Sequence, residues 1–144
     1  MILPDVNVLI GAFRVDADRH EVMRPWLLDT FRSGRPVALA APALTGFLRI
    51  VTHPRIFAAP SGLDAALGFV ERILDQESAL VVDAGARHWG ILAEVLRAAD
   101  ARGPLVPDAH LAALAIQHGA TVATRDRGFA RFPGVQWFDP TAET

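Results

Sequence analysis

Short apolar runs alternate with longer segments of helical spacing along this chain. Residues 1–4 read as a strand. Val37 to Ala40, Leu80-Val81-Val82 and Thr121-Val122-Ala123 read as three more, and Val135 to Phe138 as the last. Between them, apolar residues recur at intervals of three and four. Asn7 to Phe13 fits a short helix. Glu21 to Arg32 carries Val22, Trp26, Leu27 and Phe31 on one face, with Pro25 expected to push the helix start downstream. Pro42 opens a helix running to about Thr52, where His53-Pro54 breaks it. Asp64 to Leu74 is amphipathic, with Ser61 or Asp64 as its cap. Gly85 to Ala101 places Trp89, Leu92, Val95 and Leu96 on an apolar side. Asp108 to His118 is stopped by Gly119. The alternation predicts an α/β domain with a mainly parallel central sheet. No repeat, low-complexity tract or linker divides it, so residues 1–144 are expected to form a single domain.

Three acids interrupt this pattern at element boundaries. Asp5 follows the first strand and stands between apolar neighbours, where a carboxylate must be hydrogen-bonded, paired or bound to a cation. Asp108 opens the helix "DAHLAALAIQHG", and Asp126 follows the fourth strand in "TVATRDRGF". Open parallel sheets gather ligands beyond the carboxyl ends of their strands. If the first and fourth strands are neighbours, the three carboxylates meet in one small volume. Clustered carboxylates repel and raise one another's pKa, and a divalent cation relieves that strain. Hard oxygen donors favour Mg²⁺, with Mn²⁺ as the alternative. Each acid also has an ordinary role open to it: Asp108 as a helix cap, Asp126 in a surface ion pair, Asn7 as the cap of the first helix. Thr124 is either a local turn hydroxyl or the group that orients Asp126.

Composition narrows the chemistry further. Hydrophobic residues make up 51% of the chain, which argues for a well-filled interior. Cysteine is absent, which removes thiolate nucleophiles and fits a cytoplasmic protein. Neither a signal peptide nor a membrane span is legible, so no membrane partner is expected. The net charge of −2 rules out a uniformly basic nucleic-acid trap. All 14 basic residues are arginine, so chemistry that needs a lysine amine is disfavoured.

Read together, "DVNVLI", "FLRIVTHPRIF" and "DAHLAALAIQHGATVATRDRGFARFPGVQW" resemble PIN-domain ribonucleases, and within them the VapC toxins of bacterial toxin–antitoxin pairs. The resemblance spans nearly the whole chain. It implies a three-layer α/β/α fold, Mg²⁺-dependent endoribonuclease activity, a cognate VapB-like antitoxin and a homodimer. Asp5, Asp108 and Asp126 match the family's metal-site and catalytic acids, and Asn7 and Thr124 their polar supports. One position departs. Many PIN domains carry a glutamate where "PALTGFLRI" has Gly46, and often a further acid near Asp126, where Gly128 follows Arg127. Mg²⁺ keeps several waters, so three carboxylates are enough to hold it. A PIN-fold binding module with a weakened metal site is the alternative reading. A phosphoryl-accepting receiver also gathers aspartates at strand ends, but it usually needs a lysine.

With a negative surface overall, RNA must be held locally. Arg125 and Arg127 flank Asp126 and are the first candidates for phosphate contacts, ahead of Arg49, Arg55 and Arg131. No pair of histidines has a familiar metal spacing, and none is assigned a catalytic role. Trp26, Trp89 and Trp137 are expected in the core rather than stacked on bases. The helices Glu21–Arg32 and Asp64–Leu74 are the surfaces the resemblance implies for dimer and antitoxin contacts.

Overall fold

The computed structural model describes residues 1–142. Its five strands are β1 (Ile2–Pro4), β2 (Val37–Ala40), β3 (Ala79–Val82), β4 (Thr121–Ala123) and β5 (Gln136–Phe138). They form one sheet in the order β3-β2-β1-β4-β5, and every pairing is parallel. In register, Leu3 lies opposite Val122 and Pro4 opposite Ala123. The helices are α1 (Val6–Phe13), α2 (His20–Arg32), α3 (Ala41–Val51), α4 (Leu63–Leu74), α5 (His88–Ala99) and α6 (Val106–His118). Connections run outward from β1 through β2 to β3, then reverse to reach β4 on the other side of β1. Right-handed crossovers therefore put the helices before β3 and those after it on opposite faces. α1 packs on α2 and α3, α3 on α4, and α5 on α6. This is the expected three-layer α/β/α arrangement.

The central strands are buried because both faces of the sheet are covered. Leu3, Val37, Ala38, Leu39, Val122 and Ala123 are nearly inaccessible to solvent, and one hydrophobic cluster joins them to Phe47, Phe129 and Leu114. At the β3 edge, Leu80 and Val81 remain exposed.

Several boundaries differ from the sequence reading. α2 starts at His20, and Pro25 lies inside it. Burial of Met23, Leu27 and Phe31 holds that helix together despite the missing donor. α6 starts at Val106, because Pro107 is tolerated in a first turn, so Asp108 sits within that turn and is not its cap. α5 is shorter than Gly85–Ala101 and ends at Asp100, whose φ of 46° is left-handed. Its buried stripe is His88, Leu92 and Val95. Trp89 is one step round the helix and is 76% exposed, contrary to its expected place in the core. Trp26 packs edge-on against Phe138 at 5.9 Å, and Trp137 is half-buried against the core. α4 is capped at Gly62 without a side-chain bond, so neither Ser61 nor Asp64 serves.

Ser61 has another use. Arg14, buried at the end of α1, donates to Asp16 Oδ2 at 2.6 Å, to Ser61 Oγ at 3.0 Å and to the Ala59 carbonyl at 3.0 Å. Its guanidinium lies 3.7 Å from the centre of the Phe57 ring. The Ser61 amide in turn donates to the Val51 carbonyl at 2.7 Å. The loop after α3 is thereby closed onto both α1 and α3.

Candidate active site

The order in which strands are added reverses between β1 and β4, and these two parallel strands end at the same cleft. Asp5 is the residue after β1. Its amide donates to the Ala123 carbonyl of β4 at 3.0 Å, which fixes the two strand ends side by side. Asp5 itself, rather than Asn7, caps α1: Oδ1 accepts from the Val6 amide at 2.7 Å. Asn7 lies inside the helix and reaches across to β4.

A hydroxyl ties these groups together. Thr124, fully buried, donates to Asp5 Oδ2 at 2.7 Å. Its oxygen accepts from Asn7 Nδ2 at 2.9 Å and from the Asp126 amide at 3.0 Å. The Thr124 hydroxyl thus uses its one proton and both lone pairs. Asn7 Nδ2 also donates to Asp5 Oδ2 at 2.7 Å, and Asn7 Oδ1 accepts from the Arg125 amide at 3.1 Å. Asp126 Oδ1 accepts from the Gly128 amide at 2.7 Å and caps a short 3-10 turn at Arg127–Arg131. Asn7 and Thr124 thus both hydrogen-bond the Asp5 carboxylate, and Thr124 also the Asp126 amide.

Asp5, Asn7, Asp108 and Asp126 all line one open cleft of about 940 Å³, together with Gly46, Arg49 and Pro107. The electrostatics follow from that crowding. Burial raises the pKa of Asp5, the bonds from Thr124 and Val6 oppose the rise, and the Asp126 charge adds to it. Asp108 is pushed up to about 6 by desolvation, then by the charges of Asp5 and Asp126, with Arg131 acting in the opposite direction. Asp5 and Asp108 resist ionising beside the Asp126 charge, which is the condition a hard cation relieves. The fit is one of donor chemistry and does not amount to a closed cage. Among the described residues, no three Asp, Glu or His side chains surround a single point closely enough to enclose an ion. Water would have to complete any coordination shell here.

At Gly46 the wall is tight. A β-carbon there would lie 2.9 Å from Val6 Cγ2. The glycine permits this close approach of α3 to α1, and it leaves that wall without a carboxylate.

The arginines are arranged differently from expectation. Arg125 is turned to Asp18, with Nη2 at 2.8 Å from Oδ2, and neither Arg125 nor Arg127 is among the cleft-lining residues. Arg131 donates through Nε to the Gly128 carbonyl at 2.9 Å. Arg49 is the arginine that lines the cleft. Its signal was in the sequence: 42, 45, 46, 49 and 50 are one helical stripe, and all five residues face the cleft. His110 faces His88, with ring centres 4.7 Å apart, and does not line this cleft.

A parallel α/β protein with an acidic cleft at its topological switch point is the class defined by this fold and site. The chain belongs to the PIN-domain family, whose sequence pattern matches residues 2–135. It is 39% identical over 140 residues to ribonuclease VapC31 of Mycobacterium tuberculosis, covering 97% of this chain and 99% of that protein. Among solved structures, FitAcB from Neisseria gonorrhoeae aligns with a TM-score of 0.65 and 28% identity, covering 97% of this chain and 98% of that one. VapBC2 from Rickettsia felis, bound to a DNA fragment from their promoter, aligns with a TM-score of 0.72 over 96% of this chain and 98% of that one. At 16% identity that last likeness concerns the fold.

Proposed function

We propose that this protein is a VapC-type toxin: a Mg²⁺-dependent endoribonuclease, with Mn²⁺ as an alternative ion, neutralised by a cognate VapB-like antitoxin. The observation that carries this reading is the convergence of Asp5, Asp108 and Asp126 on one cleft at the ends of β1 and α6 and beyond β4. Similarity to proteins named VapC ribonucleases supports the RNA-cleaving part. On the same kinship the proposal extends to an antitoxin partner, a homodimer and a cytoplasmic location. No described helix is long and apolar enough to cross a membrane.

Asp5, Asp108 and Asp126 would hold the ion. When bound, it supplies Lewis acidity at a phosphoryl oxygen and makes water acidic enough to act as a nucleophile. The protein's own work is positional. Thr124 and Asn7 occupy both lone pairs of Asp5 Oδ2 and the Val6 amide takes one of Oδ1, which leaves a single Oδ1 lone pair for an ion. Asp126 keeps Oδ2 available while Oδ1 is tied to Gly128. Among the described residues Asp108 makes no side-chain hydrogen bond, and its raised pKa suits it to bind a cation or to move a proton near neutral pH.

Asp108→Asn is the cleanest test, since no hydrogen bond is lost with the charge. Mg²⁺-dependent cleavage of a bacterial RNA pool should fall at least about a hundredfold, at a thermal midpoint no lower than the parent's. Cleavage equal to the parent's would sink the proposal. A second reading, a PIN-fold binding module, is favoured by Gly46, which leaves its wall without a carboxylate. Calorimetric titration with Mn²⁺ separates the two, because the module shows no saturable binding and cuts no RNA.

A further inference from the structure

The cleft has an acidic side and a side without acid. α3 forms the second, and Arg49 is the cation it presents. Arg49 is exposed and, among the described residues, makes no ion pair. Elsewhere near the site, Arg125 is engaged with Asp18 and Arg131 with the Gly128 carbonyl, and Arg127 does not line the cleft. Gly46 explains why Arg49 stands alone on its helix. An acid at that position would sit three residues earlier on the same face, the spacing at which a carboxylate pairs with an arginine. Val6, 2.9 Å from where a β-carbon would be, closes that space. The lost carboxylate therefore has a counterpart in an unpaired guanidinium facing the same cleft.

We infer that Arg49 binds the phosphate backbone of single-stranded RNA beside the scissile phosphate, as a substrate-positioning residue kept unpaired by Gly46. The inference rests on the ribonuclease reading above. A guanidinium fork suits phosphate oxygens, and a strand lying between the two walls would meet the cation on one side and the carboxylate site on the other. The contact reads backbone rather than base, so it adds affinity to every sequence alike.

The probe is a fluorescently labelled, mixed-sequence single-stranded RNA. With Arg49→Gln, binding measured by anisotropy should weaken about tenfold. The slope of log affinity against log salt should become shallower by about 0.7, the loss of one phosphate contact. In Mg²⁺, KM should rise with kcat nearly unchanged, and Mn²⁺ calorimetry should match the parent's. Arg49→Lys should restore the salt slope, because the slope counts charge. Parent protein that cuts the RNA, beside an Arg49→Gln variant with the same KM and salt slope, overturns the role of Arg49 alone. Parent protein that neither binds nor cuts the RNA overturns the reading beneath it as well.

Discussion

The two walls of the cleft are made in opposite ways. On the β1–β4 wall each polar group is placed by another: Thr124 holds Asp5 and Asp126, and Asn7 joins the two strands. On the α3 wall the decisive residue is one without a side chain, and Arg49 beyond it makes no ion pair among the described residues. The first wall spends hydrogen bonds to hold negative charge in fixed positions. The second relies on close packing between α1 and α3 and leaves its charge mobile. A metal site needs the first property, and a grip on a flexible polyanion suits the second.

This contrast is broken most severely at Thr124. Thr124→Val keeps the shape but leaves the buried Asp5 oxygen, the Asn7 amide and the Asp126 amide each short of a partner. It should cost about 2–3 kcal/mol in urea unfolding. Thr124→Ser, which keeps the hydroxyl, should recover most of that loss. An unchanged midpoint for the valine variant would mean that the acid wall is not held by this hydroxyl.

The packed wall should respond to a paired change. Gly46→Ala gains up to about 1 kcal/mol of helix propensity but drives a methyl group onto Val6, an overlap costing about 1–3 kcal/mol. In a Val6→Ala background the overlap is gone and the same substitution should stabilise. A double-mutant cycle is expected to give a coupling of about 1–2 kcal/mol, whereas additive effects would place the Val6 contact in doubt.

The smallest effect concerns Asp108. Its folded pKa of about 6 lies above the ordinary 3.8, so the folded chain binds the proton more tightly than the unfolded chain does. Its contribution is favourable below the unfolded value and is lost as pH rises through the folded one. Metal-free protein should therefore lose stability between about pH 4 and 6, on the order of 1 kcal/mol after solvent screening. Asp108→Asn should flatten that part of the profile. Saturating Mn²⁺ should flatten it too if the ion displaces the proton. A slope of the same size in the asparagine variant would assign it to other groups.

Much of this was legible in one dimension. Asp5 could be found because a carboxylate amid apolar residues at a strand end has few explanations, and Asp126 because β4 is a short apolar run with an abrupt polar end. The mainly parallel sheet followed from alternating strands and helices, and the three-layer arrangement from the family resemblance. What the sequence could not rank was the arginines. Arg125 stands beside Asp126 in the chain, but Asp18, more than a hundred residues away, takes its charge. Arg49 is far from every acid in sequence and shares their cleft in space. The glycine at position 46 was readable, whereas its tight contact was not, since Val6 meets it only once α1 and α3 pack. Trp89 was misplaced because two adjacent helical positions differ by a hundred degrees, and His88 took the buried one.

The Arg14 clamp bears on how this cleft can move. By closing the loop after α3 onto α1, it braces the end of the helix that carries Arg49, and the acid wall is braced by Thr124 from the other side. Neither wall is hung on a long free loop. Adjustment to an incoming strand then falls to the Arg49 torsions, on the picosecond-to-nanosecond scale of exposed side chains, with no slow swing of a helix required. The cleft acts as a rigid vice with one soft finger.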